Sequence, residues 1–237
     1  MIIKEEQIQV LDLTIDVVKK DIQNMHLAVY PPTGRIRIAS PFNLKDEAIR
    51  LFAISKIRWI KKHQKNFYDQ LREAPREYIT GESHYFDGKR YLLKVVERNG
   101  KHEIKIKNKT YLELYVSSKA TIEAREKVFN EWYRNHLKEI FPALINKWEE
   151  KIDVSCEDWN IKKMKTKWGS CNIGKRKILI NLELAKKPKH CLEYVIVHEL
   201  IHFLERNHND NFKSYLDKFM PNWRVYKREL NELPVAY

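Results

Sequence analysis

Apolar and polar positions alternate over the first 40 residues as in β-strands, a pattern opened by Ile8, Val10 and Leu11. His26-Leu27-Ala28-Val29-Tyr30 and Arg35-Ile36-Arg37-Ile38-Ala39 are two further runs. Pro31-Pro32-Thr33-Gly34 between them predicts a hairpin turn, with Gly34 free to take positive φ. The spacing then turns helical through Leu44, Ala48, Leu51, Phe52 and Ile60 and fades after Lys61-Lys62. Asn43 is the expected N-cap, and Asp46 and Glu47 suit the positive end of the helix dipole.

Strand patterns return at Tyr85-Phe86, Tyr91–Leu93, His102–Ile106 and Leu112–Val116, with Asp87-Gly88 and Asn99-Gly100 as expected hairpin turns. Val128, Phe129, Trp132, His136, Ile140, Leu144 and Trp148 then mark a long helix over about 120–150, with a kink or break expected at Pro142. Ile161 to Trp168 and Ile178 to Leu182 read as strands, and Gly169–Asn172 and Gly174–Arg176 as turns. A helix follows Pro188 and runs to about Asn207; others cover Asp210–Phe219 and start near Trp223. Runs of strands beside runs of helices predict an α+β fold. The expected organisation is a β-rich region with one inserted helix over 1–118, a connecting helix over 119–150 and a catalytic region over 151–237. No internal repeat is evident.

Composition narrows the class. The 237 residues are 43% hydrophobic, enough for a core, and 11% aromatic, which separates the chain from disordered polyelectrolytes. No uncharged apolar run approaches a membrane span, and the acids in Met1–Glu6 do not suit a signal peptide. Three cysteines, Cys156, Cys171 and Cys191, form neither a disulfide framework nor a CxxC knuckle, so a reducing cytoplasm is expected. The net charge of +13 suits either solubility or attraction to DNA or RNA.

The segment that carries chemistry is Val197-His198-Glu199-Leu200-Ile201-His202. Four residues of helix bring His202 to within about 40° of His198, so both imidazoles can reach one Zn2+. Glu199 is placed to act on a water at that metal. A third ligand is needed, with one position left for water. His208 could not turn back on a continuous helix, so the helix must stop first, with Asn207 able to end it in a left-handed conformation and Asn209 and Asp210 able to cap the next. Glu205, Asp210 or a later acid are the alternatives to His208. His190 reads as a surface residue near the helix start. Tyr194, Tyr215, Arg224 and Tyr226 are equal candidates for the group that stabilises an oxyanion.

The chain resembles the YgjP-like zinc metallopeptidases, relatives of the SprT-like proteases. The resemblance rests on Lys167–Asn172, Ile178–Leu182, Tyr194–His202, Arg206–His208, Phe219–Trp223 and, upstream, Gly81–Tyr91. It implies a zincin-like catalytic half, with His198, His202 and His208 as zinc ligands and Glu199 as catalytic acid/base. The spacing from His198 to His208 also equals that of metzincins, with Glu205 where those carry Gly, and whether Met220 lies beneath the metal is open.

The expected function is zinc-dependent hydrolysis of polypeptides. Trp168, Gly169, Ser170, Cys171 and Asn172 are expected to border the substrate cleft, where a peptide can pair with a sheet edge; Trp168 could equally anchor the core, and Cys171 could approach the metal as an inhibitory thiolate. The alternative is a nucleic-acid-associated protein, on the strength of eleven Lys/Arg against four acids over residues 151–190, with Trp159 and Trp168 interleaved. Oligomeric state is not legible.

Overall fold

Alternate burial of β-branched side chains builds the first sheet. In the computed structural model, which describes residues 4–30, 33–69 and 76–232, four strands run β1 (Lys4–Val10), β2 (Leu13–Lys20), β3 (His26–Tyr30) and β4 (Arg35–Pro41). They lie in the order β1-β2-β4-β3. The outer pairs are antiparallel and the central pair is parallel, with Val17 opposite Ile38. Strand β2, which had not been singled out, is thus central. The β3–β4 hairpin is as expected: Gly34 has φ 70° and donates its N–H to the Tyr30 carbonyl at 2.9 Å; Pro31 and Pro32 lie outside the described residues. The expected single helix is two, α1 (Asp46–Ser55) and α2 (Ile57–Asp69), broken at Lys56. Lys45, not Asn43, is the N-cap, and it makes no side-chain cap. Ile49, Ala53 and Ile60 bury against Ile15, Ile36 and Ile38, whereas Leu51 is exposed.

The second sheet repeats this wiring. Strands β5 (Ser83–Phe86), β6 (Lys89–Glu97), β7 (Glu103–Lys107) and β8 (Tyr111–Val116) lie in the order β5-β6-β8-β7, again with a central parallel pair between antiparallel ones. Asp87 and Gly88 form the expected hairpin turn, both at positive φ. Asn99-Gly100 does not join paired strands; the hairpin partner of β7 is β8, across Asn108 and Lys109, which also have positive φ. Helix α3 (Ile122–Ile152) is capped by Thr121 and continues through Pro142 without the expected break. It buries Phe129, Tyr133, Leu137, Phe141 and Trp148 in the core shared with this sheet.

A third sheet, β10-β11-β9, comprises β9 (Asp158–Lys162), β10 (Gly169–Asn172) and β11 (Lys177–Asn181). The strand expected over 161–168 is therefore earlier and shorter, and Gly169–Asn172, expected to turn, is an edge strand antiparallel to β11. A 3₁₀ turn over Leu182–Lys186 leads to α4 (Lys189–Ile201), α5 (Asp210–Phe219) and α6 (Trp223–Glu232). Six α-helices and three sheets among the described residues make the fold α+β. Packing divides the chain at 72/73 instead of 118/119, because β5–β8 share their core with α3 and the helices after it. Among the described residues no helix is long and apolar enough to cross a membrane.

Candidate metal centre

Helix α4 is fixed before its histidines are reached. The N–H groups of Asp87 and Gly88 donate to the carbonyls of Ala185 and Lys186, and Gly88 abuts Pro188, where an added Cβ would meet Cγ at 2.7 Å. Glu193 accepts hydrogen bonds from Lys147 Nζ at 2.7 Å and Trp148 Nε1 at 3.0 Å on α3. Most residues of α4 are themselves buried, as a helix between core and cleft requires.

His198 and His202 stand one turn apart on this helix. It ends at His202, tightened by the N–H of Phe203 to the Leu200 carbonyl and that of Leu204 to Ile201. Asn207 is not at positive φ, and the last helical residue, Ile201, comes six residues before the expected end, with no left-handed residue closing the helix. The Asn209 side chain caps α5 by accepting from Phe212 N–H at 3.0 Å, as expected. The short loop between the helices carries His208 back, leaving its Nε2 3.0 Å from His198 Nε2. One ligating nitrogen from each of His198, His202 and His208 lies within 4.8 Å of the others.

Two nitrogens on a tetrahedral zinc stand roughly 3.3 Å apart, so the three imidazoles fit one such ion after small adjustment. His202 Nδ1 lies 3.2 Å from the Glu205 carbonyl; a proton there leaves Nε2 as the free donor, the usual support for a ligating imidazole. Burial, together with His202, His208 and Lys227, pushes His198 down to about 3, so it is neutral and ligand-competent at neutral pH. Burial, then His202 and Lys227, also lower His208. Glu205 instead accepts the Asn207 N–H at 3.0 Å and Asp210 pairs with Lys213 at 2.8 Å; neither joins the cluster. The apolar floor is Phe212, its ring centroid 4.8–4.9 Å from all three imidazoles. Met220 is buried at the C-cap of α5 and does not line the cleft.

Glu199, 6% exposed, faces the same cleft of about 530 Å³. Burial raises its carboxyl to about 8, with Lys167 opposing. Its wall is Gly169, where an added Cβ would sit 2.6 Å from Glu199 Oε1 and 2.8 Å from Val195 Cγ1. Trp168, Ser170 and Cys171 also line the cleft. Asn172 does not: its Oδ1 accepts the Lys175 N–H at 3.0 Å in the following turn. Burial and the Glu199 charge push the Cys171 thiol up to about 12, away from the thiolate a metal contact needs. Of the four oxyanion candidates only Tyr194 lines the cleft. Tyr215 stacks on Phe219, Arg224 pairs with Asp217, and Tyr226 packs on His190.

Besides Phe212, three residues of the site were missed. Arg206 and Lys227 line the cleft, and neither had been assigned a role. Asn181, 3% exposed, secures the loop that brings Lys167 and Trp168 there. Its Nδ2 donates to the carbonyls of Met164 at 2.9 Å and Lys167 at 2.7 Å, and its Oδ1 accepts from the N–H groups of Met164 and Glu183, each at 3.2 Å. An Asn closing the apolar run Ile178-Leu179-Ile180 was the available signal.

Several cations of the 151–190 run are engaged: Lys163 with Glu126, Lys177 with Asp158, Lys186 with Glu183, and Lys187 buried over the Trp168 ring. His190, Cys191 and Glu229 form a second close group. Its Nε2–Oε2 contact at 2.6 Å is an α4–α6 ion pair when His190 is protonated, and burial pushes the Cys191 thiol up to about 12.

The YgjP-like metallopeptidase domain matches residues 24–233, and the chain belongs to that family. Its members are peptidases that use a metal, which agrees with the three-imidazole cluster. No curated protein matches the chain. The structure of the metallopeptidase zymogen of Methanocaldococcus jannaschii jannalysin is 22% identical and covers 38% of this chain and 91% of its own, with a TM-score of 0.34. That of Pyrococcus abyssi abylysin, also a metallopeptidase zymogen, is 14% identical and covers 38% and 90%, with a TM-score of 0.36.

Proposed function

We propose that the chain is a zinc-dependent peptidase of zincin type, with His198, His202 and His208 as metal ligands and Glu199 as general base and acid. The observation that carries this reading is the convergence of three imidazoles on the Phe212 ring, with a buried carboxylate facing the same cleft. Three nitrogen donors without a thiolate suit zinc and leave a coordination position for water. Zinc in such a site acidifies water towards a pKa of about 7 and polarises a carbonyl.

The rest falls to the protein. Glu199 takes the proton of the attacking water and passes it to the leaving amine. Its raised affinity for protons suits both halves of that transfer. Gly169 lets the carboxylate approach the β10 backbone. Tyr194, held protonated by burial, donates to the developing oxyanion. The free edge of β10 supplies backbone groups to an extended substrate, flanked by Trp168, Ser170 and Cys171.

The test joins elemental analysis to an unfolded-protein substrate such as casein. About one zinc per chain is expected, and Glu199→Gln should retain it while cleavage drops by roughly 10²–10⁴-fold. Wild-type cleavage by that variant removes Glu199 from the chemistry, and protein purified without chelator that holds no transition metal ends the reading.

A further inference from the structure

Helix α6 presents Trp223, Lys227, Leu230 and Asn231 at helical spacing on one face. Trp223 and Leu230 are buried, which seats this face on the core, yet Lys227 between them is exposed. Its side chain borders three hollows at once. One is the main cleft. The second, of about 380 Å³, reaches His198 and His208 from beside Tyr194, Phe212 and Leu216. The third, of about 500 Å³, opens along α6 past Trp223 and Arg228. The other α6 cations have acids to hand, Arg224 with Asp217 and Arg228 within 3.9 Å of Glu232. Among the described residues no ion pair is formed by Lys227, whose Nζ stands 5.7 Å from the Trp223 ring centroid.

Lys167 and Arg206 line the same cleft, both exposed and, among the described residues, also outside any ion pair. Glu199 is the one acid in the lining and is buried. Three cations therefore face a cavity whose one carboxylate is withdrawn. Such a lining concentrates positive potential and favours an anionic guest.

We propose that the cleft selects polypeptides carrying a carboxylate beside the scissile bond, and that Lys227 is the residue that reads it. This rests on the peptidase reading above. The carboxylate comes from an acidic side chain or from the end of a short peptide, since either presents the same oxygens to an ammonium.

The experiment uses the zinc-loaded full chain and matched quenched-fluorescence peptides carrying Glu, Gln or Lys next to the cleaved bond, each with a free or amidated C-terminus. The Glu peptide should exceed the Gln peptide roughly tenfold in kcat/KM, through KM, as one charge-assisted hydrogen bond provides. The gap should narrow as salt rises. Lys227→Glu should turn the preference towards the Lys peptide, Lys227→Gln should abolish it, and Lys227→Arg should keep it. A Glu-over-Gln gap that persists in amidated peptides assigns the carboxylate to the side chain; Glu and Gln peptides that cleave equally and both weaken on amidation assign it to the chain end. Fluorescence polarisation of the Glu and Gln peptides on Glu199→Gln protein measures the same preference without turnover. Equal binding there of Glu and Gln peptides and of free and amidated ones, or an unchanged preference in Lys227→Glu, overturns the proposal. Absence of turnover in every wild-type arm beside a clear binding preference would count against the peptidase reading alone.

Discussion

Gly169 and Glu199 pack so closely that a single methyl group at residue 169 would fall 2.6 Å from the carboxylate oxygen Oε1. Heavy atoms do not share that distance without a bond or a hydrogen bond, so a side chain at 169 displaces the Glu199 carboxylate or bends strand β10. Gly169→Ala is expected to lower kcat at least tenfold while metal content stays at the wild-type level, and to cost about 1–3 kcal/mol in stability from overpacking against Val195. Steady-state kinetics, metal analysis and urea denaturation separate these effects. Wild-type kcat in this variant would show that the carboxylate position is not critical.

Removing one imidazole should leave two protein ligands. His208→Ala is expected to weaken zinc binding by at least 10²-fold, read by competition with a chromogenic chelator, and activity should fall with it. Glu205→Ala and Asp210→Ala should keep the metal, because those carboxylates serve the Asn207 N–H and Lys213. The reverse pattern moves the third ligand to an acid.

Asn181 holds the 164–168 loop with both ends of its amide. Asn181→Leu leaves buried loop groups unpaired, at about 1–3 kcal/mol for each one that water does not reach. The expected signature is a lower unfolding midpoint together with faster amide exchange at Lys167 and Trp168. Unchanged exchange there would show that the loop is held by other contacts.

His84 gives the fold an acid limit away from the three-imidazole cluster. It is buried, stacked on Phe129 at 4.4 Å and 3.1 Å from Glu82. Burial first, then Arg76 and Lys186, lower its pKa from 6.5 to about 4 against the pull of Glu82. The unfolded chain therefore binds more protons between those values, and this contribution to stability is complete above about pH 6.5 and lost as pH falls towards 4. Metal-free protein should show a falling melting temperature through that window, and His84→Gln should flatten the slope. An equal slope in both proteins assigns the acid sensitivity elsewhere.

The approach of the three imidazoles was legible because its determinants are local. Two histidines four apart on a helix face one way, and an Asn beside a third histidine caps the next helix. The Asp87-Gly88 turn was legible because its positive φ values select those residue types. Strand β10 was not, since Gly169-Ser170-Cys171-Asn172 has turn composition and becomes a strand only by pairing with β11. Helix α1 was read from the wrong cap, and Asn99-Gly100 from a turn propensity that its strands do not use. Phe212 and Lys227 reach the site from α5 and α6. Neither position carries a periodicity that sets it apart, so its role follows from tertiary packing.

The wiring shared by the two four-stranded sheets has a kinetic consequence. In each, the outer antiparallel pairs are hairpins closed by short turns, while the central parallel pair joins one hairpin to the other. Short loops close in tens of nanoseconds and hairpins form in about 1–10 μs, before longer-range pairing repays its entropy. Each sheet is thus assembled from two preformed ribbons that meet along β2–β4 or β6–β8, and the rate of that meeting, set by sequence separation, is the slow step the topology builds into both.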